Sequence, residues 1–132
     1  MLFRAYDIRG IVGQELTPEF SFQLGRAFAA LLKREYSIAS PRILVGRDNR
    51  IHGRELMKHF VRGLVEMDCH VRTVDEGSTS PMISLWTVLG KYDGGVNVTA
   101  SHNPKEYNGF KLMGRGAHSI AGEKLKILED IV

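Results

Sequence analysis

Ile43-Leu44-Val45-Gly46-Arg47-Asp48-Asn49-Arg50 joins an apolar run to a polar one. Its unbroken apolar run reads as a short strand buried on both faces, and Gly46 begins a polar turn that extends to Gly53. Leu56, Met57, Phe60, Val61, Leu64 and Val65 then recur at the spacing of one helical face. A strand, a tight turn and a helix in immediate succession form the repeating unit of a parallel sheet covered by helices.

Outward from that unit the same grammar repeats. Upstream, Thr17-Pro18-Glu19 reads as an N-cap, a proline at the first helical position and an acid at the positive end of the helix dipole. The helix it starts runs to about Arg34, with Phe20, Leu24, Ala27, Phe28, Leu31 and Leu32 on one broad face, and Ser37 to Pro41 ends it. Downstream, His70 to Val74 reads as a strand, Pro81 to Leu89 as a helix and Val96 to Ala100 as a further strand. Leu125, Ile127, Leu128, Ile131 and Val132 continue the helical spacing to the last residue without a glycine cap, as in a helix cut short. A chain of 132 residues with 43% hydrophobic content suits one domain, residues 1–132, and no internal repeat or linker divides it. The expected fold is α/β, three-layer α/β/α with a mostly parallel (mixed) sheet.

Thr99-Ala100-Ser101-His102-Asn103-Pro104 carries the chemistry. Gly95 to Ala100 alternates apolar and polar side chains as a strand does, and Asn103-Pro104 cannot extend a sheet, so Ser101 falls where a strand gives way to a loop. Asn108-Gly109 tolerates positive φ, so the chain is expected to reverse there and to bring Lys111 back toward the loop. A hydroxyl flanked by an imidazole, an amide and an ammonium suits transfer of an anionic group. A serine hydrolase fits less well, because neighbouring strand residues point to opposite faces and His102 would be badly placed to deprotonate Ser101.

These residues resemble the α-D-phosphohexomutases, in the phosphomannomutase/phosphoglucomutase branch. The Ser101 block carries the resemblance with Phe3-Arg4-Ala5-Tyr6-Asp7-Ile8-Arg9-Gly10 and, more weakly, with Val45 to Arg50. The resemblance covers nearly the whole chain but only the first domain of a longer, four-domain enzyme. It implies that Ser101 is phosphorylated and exchanges its phosphoryl group with a hexose phosphate through a bisphosphorylated sugar, with a hexose 1,6-bisphosphate as activator. It further implies that Lys111 handles a proton or neutralises the transferring group, that Arg9 borders the phosphoserine, and that His102, Asn103 and Tyr6 orient phosphate or substrate. A Mg²⁺ ion bound through the phosphate of Ser101 is implied too, its other ligands being aspartates of a second domain, since Asp7, Asp48, Asp93 and Glu106 are isolated in sequence. Sugar specificity would reside in the third and fourth domains. Two departures from the family pattern stand out: His52 where a helix-capping serine is usual, and a segment between Gly77 and Pro81 that looks looser.

Composition narrows the partners. The net charge of +3 comes from basic residues interspersed with acids, with no run of five like charges, which favours an anionic small molecule over nucleic acid. The longest helical apolar run, Ala27 to Leu32, is too short to cross a bilayer, and no apolar stretch of signal-peptide length opens the chain. Cys69 stands alone, so no internal disulfide forms, and a cytoplasmic location is expected. A sugar-phosphate-binding or regulatory protein that kept the fold without the catalysis is the rival reading. Gly46 to Arg50 could also be a phosphate-binding turn at a helix N-terminus, although it lacks the glycine pattern of a P-loop.

Overall fold

The computed structural model describes all residues except Met1, Ala5, Ser101 and His102, together with the side chains of Asp75 and Glu76. Along the chain run β1 (Ile8–Ile11), α1 (Pro18–Tyr36), β2 (Arg42–Arg47), α2 (Gly53–Glu66), β3 (His70–Gly77), α3 (Ser80–Leu89), β4 (Gly94–Val98), β5 (Tyr107–Met113), a 3-10 turn (Arg115–Ala117) and α4 (Glu123–Ile131). The strands form one sheet in the order β1-β5-β4-β2-β3. β2 runs parallel to β3 and β4, whereas β5 is antiparallel to both β4 and β1, so the sheet is mixed.

Alternation along β2 explains the three layers. Ile43 and Val45 face the large core built with Leu24, Phe28, Phe60 and Leu64 of α1 and α2, while Leu44 faces Ile83 of α3 on the other side. All of these side chains are buried. α4 packs against α1. The start of α1 is as its residues dictate: the Thr17 hydroxyl accepts the Phe20 N–H at 3.1 Å, and Pro18 occupies the first turn. Its end is a left-handed Ser37, φ 51°, whose N–H bonds the Lys33 carbonyl. α1 and α2 cross nearly backbone to backbone, because a Cβ on Gly25 would strike the Phe60 carbonyl and one on Gly63 the Phe22 carbonyl. Val65, at the edge of the α2 stripe, is exposed, and Ile131 and Val132 are exposed at the end of α4.

Several local expectations change. The strand expected at Val96 to Ala100 runs instead from Gly94 to Val98; helices cover both of its faces, and the buried Asn97 bonds Ser78 and Ser80. Asn108 and Gly109 do not form the reversal. They lie inside β5, and the chain turns before them, where the Tyr107 N–H bonds the Pro104 carbonyl at 3.0 Å. Gly109 serves close approach instead, since a Cβ there would fall on the Ile8 carbonyl oxygen of β1. The Gly77–Pro81 segment is tied down: Ser78 is buried and donates both its N–H and its hydroxyl to the Arg47 carbonyl, at 2.7 and 3.1 Å, and Thr79 caps α3. His52 makes no side-chain capping bond to α2, in line with the weakened cap expected of it, and its Nδ1 is buried without a partner.

Candidate active site

Parallel β2 and β4 end side by side, and the loops that leave their carboxyl ends meet there, which is where open α/β sheets place ligands. The Asp48 N–H bonds the Val98 carbonyl at 3.1 Å, carrying the pairing one step beyond the strands. One Asp48 oxygen accepts the Arg50 N–H at 3.0 Å, and the other accepts the Thr99 hydroxyl at 2.6 Å and lies 3.4 Å from Arg50 Nε. Asp48 therefore acts as a turn residue, as its sequence context suggests. The amides of Asp48 and Arg50 are both consumed in this way, which leaves little of a phosphate-binding turn at Gly46 to Arg50.

Arg9 reaches the same region from the sheet edge. Its Nε donates to the buried Asp7 carboxylate at 3.1 Å, and its Nη1 donates to Asn103 Oδ1 at 2.5 Å. A buried acid on one side and an amide on the other fix the guanidinium beside the loop, so Arg9 and Asn103, 94 positions apart, are brought together. Lys111 returns on β5 directly across from Asn97 and on the same face as α3. It is half-buried and makes no hydrogen bond or ion pair with the described residues, an ammonium available to a ligand. Lys111 lines two neighbouring cavities of about 400 and 310 Å³, the first shared with Tyr6 and Asp7, the second with Asp48, Asn97 and Thr99. Tyr6 is 77% exposed at the mouth of the first. The expected site residues Ser101 and His102 lie outside the described residues.

No sequence motif marks Asp48, Arg50 or Thr99 as residues that shape the site. Their partners lie 51 to 57 positions away, and no local pattern links Asn49-Arg50 to Pro104 or Tyr107. Only the position of the turn at the end of a buried strand hinted at a role.

Residues 1–132 match the family described as phosphoglucomutase/phosphomannomutase, alpha/beta/alpha domain I. The chain belongs to that family. The phosphoglucomutase of Neisseria gonorrhoeae is 46% identical to this domain I chain over 131 residues, covering 99% of the chain and 27% of that protein. The phosphomannomutase/phosphoglucomutase of Pseudomonas aeruginosa is 41% identical over 130 residues, covering 98% and 27%. A crystal structure of a phosphoglucomutase/phosphomannomutase family protein from Burkholderia thailandensis superposes with a TM-score of 0.84 at 32% identity, over 98% of this chain and 29% of that one. The domain I chain thus spans about 27% of the length of the curated relatives it matches.

Within domain I, no group of three His, Cys, Asp or Glu residues gathers as a cation site among the described residues. Asp7 and Asp48, which border the loop, are engaged by Arg9, Thr99 and Arg50. The described residues alone do not supply the oxygen set that Mg²⁺ requires. Among them, no helix is long and apolar enough to cross a membrane.

Proposed function

We propose that this chain is the phosphoserine-bearing domain of a phosphohexomutase, which interconverts hexose 1-phosphate and hexose 6-phosphate. The reading is supported by family membership and by one observation: Arg9 bonds Asn103, two residues after Ser101 in sequence, and Lys111 lines a cavity with Thr99, two residues before it. In this reading the Oγ–P bond of phosphorylated Ser101 breaks as a bond forms between phosphorus and the free hydroxyl of a hexose monophosphate. That hydroxyl gives up its proton, the departing Ser101 Oγ gains one, and a hexose 1,6-bisphosphate results. After the sugar turns end for end, the unmodified serine accepts the other phosphoryl group, and the phosphoserine is restored. A hexose 1,6-bisphosphate activates the protein by loading Ser101 in the first place.

Such transfers pass through a loose transition state, so positioning and cations facing the phosphoryl oxygens dominate the chemistry. Arg9, held by Asp7, and Lys111, beside the cavities, supply that charge from this chain. His102 and Asn103 orient the phosphate, and Tyr6 borders the sugar. Mg²⁺ would neutralise phosphoryl charge through the Ser101 phosphate, its remaining ligands coming from another domain of the same polypeptide. The grip on the far phosphate and the choice of sugar belong to those other domains as well, so the 132-residue chain alone is inactive. Neither nucleic acid nor a membrane enters this reading, which suits a cytoplasmic enzyme of sugar phosphates.

The test is a coupled assay of glucose 1-phosphate and mannose 1-phosphate conversion with Mg²⁺ and bisphosphate activator. The full-length protein should turn over and the 132-residue chain should not. No turnover by the full-length protein, together with tight sugar-phosphate binding, would favour the binding-protein reading instead.

A further inference from the structure

The two flanks of the Ser101–His102 pair are tied to one small device. Arg50 donates Nη2 to the Asn103 carbonyl at 2.7 Å and Nη1 to the Pro104 and Tyr107 carbonyls at 2.7 and 3.1 Å. Its Nε lies 3.4 Å from Asp48, the carboxylate that also accepts the Thr99 hydroxyl at 2.6 Å. Residue 99 on one side and residues 103–107 on the other are therefore anchored to positions 48 and 50 at the end of β2. The Arg50 and Asp48 side chains are only 14% and 24% exposed, so water competes weakly for these bonds, except the one to Pro104, which is exposed.

We propose that Arg50 and Asp48 form a clamp that sets the geometry of the phosphoserine loop, acting as positioning residues for phosphoryl transfer. This rests on the reading of Ser101 as the phosphorylated residue. The guanidinium is suited to the task because its planar fork meets several carbonyls at once, which a lysine ammonium, a single point charge on a flexible stem, does not reproduce. Arg9 bonds the loop as well, at Asn103 Oδ1. Between β4 and β5 its backbone bonds are confined to Thr99 with Gly109, Val12 with Glu106 and two tight turns, at Ala100–Asn103 and Pro104–Tyr107, among the described residues. Asp48 completes the device by locking the Arg50 side chain and Thr99 through one oxygen. In-line transfer tolerates little displacement, and misplacing a reacting group by about 1 Å costs on the order of 10²-fold in rate.

The experiment compares wild-type full-length protein with Arg50→Lys and Thr99→Val, following kcat, KM and amide hydrogen exchange by peptide. For Arg50→Lys, kcat should fall on the order of 10²-fold with KM within about threefold, and Thr99→Val should give a smaller loss of the same kind. Exchange should accelerate in peptides spanning residues 99–107 and stay unchanged in α1. A kcat within about threefold of wild type would overturn the clamp, as would faster exchange throughout α1 and β2, the mark of a merely structural role. A rise in KM with unaltered loop exchange would overturn it too, by making Arg50 a direct substrate ligand. If wild-type protein neither turns over nor carries phosphate on Ser101, the mutase reading fails. The exchange comparison then still decides whether Arg50 holds the loop.

Discussion

Gly109 separates two physical explanations for a single glycine, and substitution there decides between them. In β5 it sits opposite Arg9 of β1, and its φ is not in the left-handed region. A Cβ placed on it would strike the Ile8 carbonyl oxygen and come within 2.9 and 3.1 Å of Arg9 Cγ and Cα. Two of these three neighbours are backbone, so relief requires β1 to move away from β5. Overpacking of this kind typically costs about 1–3 kcal/mol, which for a domain of this size lowers Tm by roughly 5–10 °C. Gly109→Asn sharpens the test. At a left-handed turn position asparagine is tolerated better than alanine, whereas against a neighbouring strand the larger side chain is worse. Thermal melts followed by circular dichroism should rank the proteins wild type, Gly109→Ala, Gly109→Asn in falling Tm. The functional consequence follows from the same displacement, because β1 carries Arg9 and its bond to Asn103. An asparagine variant that melts closer to wild type than the alanine variant would refute the close-approach explanation.

Two further outcomes are expected. Burial pushes the Cys69 thiol up to about 11 from its ordinary 9.0, so folding favours the protonated form; that contribution is intact below pH 9.0 and is lost as pH rises through about 11. Wild-type protein should accordingly lose more stability than Cys69→Ala across that interval in urea titrations, and equal losses would contradict the burial argument. In full-length protein Lys111→Met should reduce kcat on the order of 10²-fold while leaving KM within a few-fold, because charge facing a moving phosphoryl group acts mainly in the transition state. Steady-state kinetics showing a changed KM alone would remove Lys111 from that role.

The parts of this molecule that sequence reveals are those whose physics is local. Thr17-Pro18 announces α1 because capping involves residues three apart, and Ile43-Leu44-Val45 announces β2 because burial on both faces demands an unbroken apolar run. Gly109 misled because a glycine that yields space to a neighbouring strand looks, in sequence, the same as one that supplies a turn. The neighbour that matters, Ile8, is about a hundred residues away in the chain. The alternation in β4 is similarly silent about its partners: Asn97 is buried because Ser78 and Ser80, 17 to 19 positions away, bond it. At the candidate site, resemblance to a family motif proposes Arg9, Asn103 and Lys111; the structure pairs Arg9 with Asn103 and sets Lys111 in cavities lined by Asp7 and by Thr99. The Asp48–Arg50 device was not legible, since its function consists entirely of contacts with carbonyls and a hydroxyl from a distant loop.

Whether Ser101 carries the transferable phosphate is decided by mass spectrometry of the full-length protein after incubation with a hexose 1,6-bisphosphate. One added phosphate should map to the peptide containing Ser101, disappear on exposure to excess hexose monophosphate, and be absent from Ser101→Ala. Phosphate retained on the Ser101→Ala protein, or placed on another side chain of the wild type, would contradict the account.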